Sequence, residues 1–277
     1  MKKHFFLLLF ATLCFAAFSQ ENDQIMRVSA RIGLNGSNVL LPRSMDNNML
    51  AVPETFFPTT ISSGNFSLSH SLKIGASAGL VFDFKLKDKL SLQTGIFYSL
   101  QRLGQVHSAV FNDNTDTHFS ITTENTVKMH RLKVPLMVNY RFSQNSNSFI
   151  IGAGVFADCA LGGDIAYDAS AVVTSSTGAI QKYTASGNFD PFQKDMKHLY
   201  YNIVNDDYRN KYSLYNGNIY NRFDFGIVAE LGYQIHNFYV GLHAEFGLLN
   251  MINEQFSGDN VREHNANFQL QLGYKIN

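Results

Sequence analysis

The sequence contains no tryptophan and only two cysteines in 277 residues. Cys14 falls inside an apolar leader, which leaves Cys159 as the single cysteine of the remaining chain. One thiol makes neither an intrachain disulfide nor a thiolate metal cluster, so an exported chain of this kind must draw its stability from elsewhere. Neither charge sign dominates, since 22 Lys and Arg stand against 22 Asp and Glu. No basic patch suggests a nucleic-acid partner. Beyond the leader no run of eighteen apolar residues occurs, which excludes a transmembrane helix. Phosphate loops, nucleophile elbows and paired catalytic carboxylates are also missing, so nothing points to an enzyme or a cofactor.

What is present begins with Lys2, Lys3 and His4, an apolar run from Phe5 to Phe18, and the small residues Ala17 and Ser19. This pattern predicts a secretory signal peptide over residues 1–19. Leu13 precedes Cys14 where a lipoprotein signal has a small residue, which argues against lipidation. Residues 20–277 then carry 20 basic against 22 acidic side chains and suit one large all-β domain.

Strict alternation of apolar and polar residues dominates this part. In the last sixteen residues Ala266, Phe268, Leu270, Leu272, Tyr274 and Ile276 alternate with Asn265, Asn267, Gln269, Gln271, Gly273 and Lys275. A period of two means a strand with one oily face, which meets either a second sheet or lipid. Seven further stretches alternate in the same way, centred on Val28–Leu34, Leu72–Phe84, Leu90–Leu100, Leu132–Phe142, Phe149–Ala157, Phe223–Ile235 and Phe238–Leu248. Their connections alternate in length. Residues 85–89, 143–148 and 236–237 are tight polar turns, whereas 37–70, 105–125, 163–221 and 251–263 are long. Short turns on one side and long loops on the other, with an even strand number, are the rule for bacterial outer-membrane barrels. The expected fold is therefore all-β, an eight-stranded antiparallel up-and-down transmembrane β-barrel with long extracellular loops and short periplasmic turns.

The polar parity supports lipid as the solvent of the oily face. It collects Arg31, Lys73, Asp83, Lys133, Arg141, Asp158, Glu230, His243 and Glu245, with several glutamines. A soluble barrel of this size would point its apolar side inward; here the charges must face the lumen. Aromatic residues such as Phe82, Phe84, Tyr140, Phe142, Tyr233 and Tyr274 lie towards strand ends, as interfacial girdles require.

Four blocks carry a family resemblance. Leu132–Phe142 reads Leu-Lys-Val-Pro-Leu-Met-Val-Asn-Tyr-Arg-Phe, and it is followed by Ile150-Ile-Gly-Ala-Gly154, by Arg222-Phe-Asp-Phe-Gly226 leading to Gly232, and by Gly247-Leu-Leu-Asn250. In content and order they resemble the outer-membrane β-barrel proteins of Bacteroidetes, the PorT-like group among them. The resemblance implies an eight-stranded barrel in the outer membrane, in a family mostly without assigned chemistry. Lys133 departs from it where an acid is usual, and so does the Ile276-Asn277 ending in place of an aromatic.

Eight strands enclose a lumen that side chains fill. The expectation is a closed plug, in which Arg31, Lys73, Lys133 and Arg141 pair with Asp83, Asp158, Glu230 and Glu245, rather than a narrow ion path. His243 and Glu245 share the inward face, turned away from lipid, which argues against a lipid hydrolase. The other histidines lack ligand spacing, and Asn112–His118 lacks the glycine and glutamate of a calcium loop, so no metal is expected. The stretch 163–221 is the expected seat of recognition. Asp190 and Pro191 open a predicted short amphipathic helix bearing Phe192, Met196, Leu199 and Ile203, with Tyr200, Tyr201, Tyr208, Tyr212 and Tyr215 in or after it and Tyr220 beyond. Tyr among Asn suits adaptable recognition, but the favoured reading of these residues is a helix that caps the barrel mouth with the tyrosines at the headgroup level. The functional expectation is a structural or interaction barrel in contact with outer-membrane lipid and a protein partner or ligand. The alternative is a narrow transport pathway or an accessory part of a secretion complex, and an outer-membrane enzyme ranks third.

Overall fold

The computed structural model describes residues 26–40, 63–112, 116–144, 146–192, 220–251 and 264–276. Its strands are β1 (Met26–Leu40), β2 (Ser63–Lys85), β3 (Leu90–Asn112), β4 (His118–Arg141), β5 (Asn147–Thr174), β6 (Ile180–Phe189), β7 (Phe223–Ile235), β8 (Phe238–Gly247) and β9 (His264–Lys275). Eight of them close a ring of antiparallel neighbours, running β1-β2-β3-β4-β5-β7-β8-β9 and back to β1. Closure leaves the ring no unpaired edge, so the strand backbone groups find their hydrogen-bond partners within the wall and none faces lipid unsatisfied. β9 is the closing strand, with Arg31 opposite Gly273 and Leu34 opposite Leu270.

The burial pattern is inside out. Arg131 is 0% exposed and Lys133 2%, whereas Phe223 is 68% exposed and Ile32 62%. Such an arrangement has a favourable free energy only where the outer solvent is hydrocarbon. Leu132, Val134, Leu136, Val138 and Tyr140 of β4 all face out, and the stretch from Leu132 to Phe142 matches the roughly 9–11 residues that cross a bilayer when tilted. The three tight connections join β2 to β3, β4 to β5 and β7 to β8. The last has only His236 and Asn237 between strands, and His236 takes φ 52°, as a two-residue hairpin of matching twist demands.

The structure differs from the sequence expectation above the membrane. Much of what alternation left as loop is strand. β3 and β4 run through nearly all of 105–125, pairing as far as Asn112 with His118, and β5 and β6 take up 163–174 and 180–189. β6 is a ninth strand outside the ring, paired to the upper half of β5. Together β2 to β6 continue the wall as a five-stranded sheet beyond the bilayer.

A bulge explains why β5 looked finished. His130 pairs with Gly162 and Arg131 with Ala160, so Leu161 is the extra residue. Before it the even residues Ile150, Phe156 and Asp158 are buried; after it the odd residues Ile165, Tyr167, Ala169 and Ala171 are. One inserted residue reverses parity, and an alternation read from sequence ends there.

Candidate functional site

The lumen is filled by a ladder of ion pairs, ordered along the axis by the inward residues of β4. Nearest the short turns, Arg141 donates to Asp83 at 2.8 Å. Above it Arg31 is the hub. Its guanidinium donates to Glu230 at 2.9 Å, to the Gln93 carbonyl at 2.9 Å and to that of Gln271 at 3.3 Å, and it stacks 3.9 Å from the Tyr239 ring centroid. Asn139 donates to the same Gln93 oxygen at 2.9 Å. His243 then links two carboxylates, Nε2 lying 3.0 Å from Glu230 and Nδ1 3.8 Å from Glu245. Glu245 also accepts from Lys133 and, at 2.8 Å, from Asn267. Near the outer mouth Arg131 grips Asp158 through Nε and Nη2. Asp224 stands opposite Asp158 in register.

Apolar side chains block what the charges leave open. Met137, Phe156 and Val228 form a buried cluster between Arg131 and the Arg31 hub. Glycine makes the room: a Cβ on Gly226 would meet the Phe246 carbonyl at 2.1 Å and the Phe156 ring at 2.7 Å. The Lys133 ammonium sits over that ring, 5.3 Å from its centroid. Charges so placed in a water-poor interior persist only when paired and hydrogen-bonded, because each bare ion would cost several kcal/mol.

The predicted site residues divide as follows. Arg31, Asp83, Lys133, Arg141, Asp158, Glu230, His243 and Glu245 meet in the lumen. Lys73 does not. It is exposed, and a register shift between Leu72 and Ala76 carries it away from the lumen, so that a Cβ on Gly104 would lie 2.8 Å from its Cε. Arg131, a central member, was missed because alternation started the fourth strand at Leu132; its odd number places it in phase with Lys133. Gln93, Asn139, Gln271 and Tyr239 lie on the inward parity and complete the shell around the charges.

Tyr200, Tyr201, Tyr208, Tyr212 and Tyr215, and the predicted helix beyond Phe192, lie outside the described residues. The ends of that segment are described and both meet the barrel mouth. The Phe192 amide donates to Asp190 Oδ1 at 2.8 Å, as a cap would, and Phe192 is buried beneath Arg222, whose guanidinium lies 4.5 Å from the ring centroid. Tyr220 and Met251 are buried, and the Asn221 amide donates to the Met251 carbonyl at 2.7 Å. Among the described residues no group of His, Cys, Asp and Glu could hold a metal ion.

On its outward face the upper sheet carries a polar patch across β4, β5 and β6. Thr122, Glu124, Asp168, Ser170, Thr184 and Ser186 line a shallow depression of about 430 Å³ across β4, β5 and β6.

No curated protein matches the chain. Among solved structures, Ail, the attachment invasion locus protein of Yersinia pestis, crystallised with the heparin analogue sucrose octasulfate, is 12% identical, with 91% of this chain and 99% of that one covered and a TM-score of 0.34. OprG of Pseudomonas aeruginosa is 10% identical, with 90% and 95% covered and a TM-score of 0.34. Neisserial surface protein A is 10% identical, with 92% and 100% covered and a TM-score of 0.31. Identities and scores this low say nothing about role. The family model described as the outer membrane protein beta-barrel domain matches residues 18–253, most of the chain. With its closed ring and oily exterior, the chain belongs to the outer membrane protein beta-barrel domain family and resides in the outer membrane.

Proposed function

We propose that this chain is a non-enzymatic outer-membrane barrel that acts through its outer surface, by contact with a partner or ligand at the outer sheet of β2 to β6 and the connections around it. The observation that carries this reading is the filled lumen. Interlocked pairs from Arg141–Asp83 up to Arg131–Asp158, with Met137, Phe156 and Val228 between them, leave the interior to stability rather than to passage. His243 and Glu245 are spent inside the same network and face away from lipid, which removes the most suggestive pair from hydrolytic chemistry. Within the family, the resemblance of the four sequence blocks supports a kinship with the Bacteroidetes PorT-like group.

Two measurements test the reading. In planar bilayers the purified barrel should show no steady unit conductance; regular ion-selective openings would replace it with a transport pathway. Replacing residues 168–186 by a short turn should leave a heat-modifiable barrel that no longer cross-links to its surface partner on intact cells. Unchanged cross-linking would remove the sheet from the proposal.

A further inference from the structure

Three cations gather on the outer wall where the lipid-facing aliphatic band ends. Arg102 of β3 stands opposite Lys128 of β4 in register. Lys73 of β2, turned out by the register shift, lies against Gly104, two residues along β3 from Arg102. Lys73 and Arg102 are exposed and Lys128 half-buried. One carboxylate answers them: Asp164 of β5 accepts from Lys128 at 3.3 Å. Among the described residues neither Lys73 nor Arg102 has an ion-pair partner, although like charges facing each other across a strand pair are mutually destabilising. Among the described residues only Asp164 offsets the three cations, so the patch keeps a net positive charge that attracts an added anion.

Its level in the membrane identifies the anion. Immediately below, Tyr98 and Leu132 face lipid, and the Tyr98 hydroxyl contacts His130 Nδ1 at 2.5 Å, an amphipathic pair of the sort that marks the headgroup level. Above, the outward positions of β4 are Thr126, Glu124, Thr122 and Ser120, and the acids Glu124 and Asp168 lie four residues farther from the bilayer than Lys128 and Asp164. Positive charge thus sits at the bilayer surface and negative charge beyond it. We propose that Lys73, Arg102 and Lys128 bind the phosphate of an anionic outer-leaflet lipid headgroup. A rigid wall in the plane of the leaflet is surrounded by such headgroups, and a guanidinium between two ammonium groups matches their oxygens. The bound lipid also relieves the repulsion between Arg102 and Lys128, so it fastens the outer sheet to the membrane surface.

The test uses the full mature chain folded in dodecyl maltoside and titrated with diphosphorylated lipid A, with phosphatidylcholine and with inorganic phosphate, binding being read by native mass spectrometry and by the midpoint of heat-modified migration. Lipid A should bind saturably and raise the midpoint. The triple variant K73Q/R102Q/K128Q should bind it roughly 10- to 100-fold more weakly, at the usual contribution of a basic residue near an anionic surface, while K87Q in a periplasmic turn should bind like the parent. Equal binding by the triple variant, or equal binding of phosphatidylcholine, overturns the site. An equal response to inorganic phosphate overturns the lipid as its source. If the triple variant does not fold, R102Q alone should weaken binding by about threefold or more, and no change in that variant also overturns the proposal.

Discussion

Arg31 shows how the lumen's chemistry depends on single residues. It reaches from β1 across the barrel to Glu230 on β7, to Gln93 on β3 and to Gln271 on β9, so one side chain ties four strands. R31A would leave Glu230 buried without its main cation, and breaking one side of a buried pair costs about 3–5 kcal/mol. The urea midpoint of vesicle-folded protein should fall accordingly, and R31M/E230L should recover most of the loss; a double variant as weak as R31A would contradict this account. Gly226 makes a steric case. G226V would drive a methyl into the Phe246 carbonyl and the Phe156 ring, and overpacking of that kind costs about 1–3 kcal/mol, readable in the same unfolding experiment. At this scale the sequence was legible by parity alone. Asp83, Glu230 and Glu245 were found because charge on an inward position must be paired, but which cation each one meets depends on neighbours up to 199 residues away in sequence.

Elements were legible where their alternation was unbroken. β7, β8 and β9 keep one parity throughout and appear at nearly the positions their sequences announce. β5 does not, because Leu161 reverses which residues face in. Deleting Leu161 would only regularise β5, whereas inserting one alanine between Gly162 and Gly163 should turn Ile165, Tyr167, Ala169 and Ala171 towards the opposite face or break the pairing of β5 with β4 and β6. The expected result of the insertion is a barrel that stays heat-modifiable while residues 165–189 become cleavable by added protease; full resistance would show that the residue count at the bulge does not set the register. β6 was illegible for another reason. Ile180–Phe189 is short and Gly- and Ser-containing, and it becomes a strand only because β5 extends past the membrane and offers it an edge.

For the whole molecule, the solvent decides the sign of each substitution. Leu136 lies mid-strand on the lipid face of β4, so L136R should cost about 2–4 kcal/mol in vesicle-folded protein, the usual cost of a cation near the bilayer midplane. T122R on the outer sheet should leave the same midpoint almost unchanged. Equal effects at the two positions would contradict the membrane boundary drawn here below Arg102 and Lys128.

By itself the sequence determined the class of fold and the direction each strand face takes, because a period of two and an alternation of short and long connections are local properties of the chain. It also determined that the interior is charged. Only the tertiary structure decided the rest: that Arg131 belongs to the ladder and Lys73 to the outer wall, that β5 continues through a bulge, and that a ninth strand widens the sheet outside. Each of these turns on register, and register is settled by how distant strands pair, where one residue gained or lost moves every side chain beyond it to the other face.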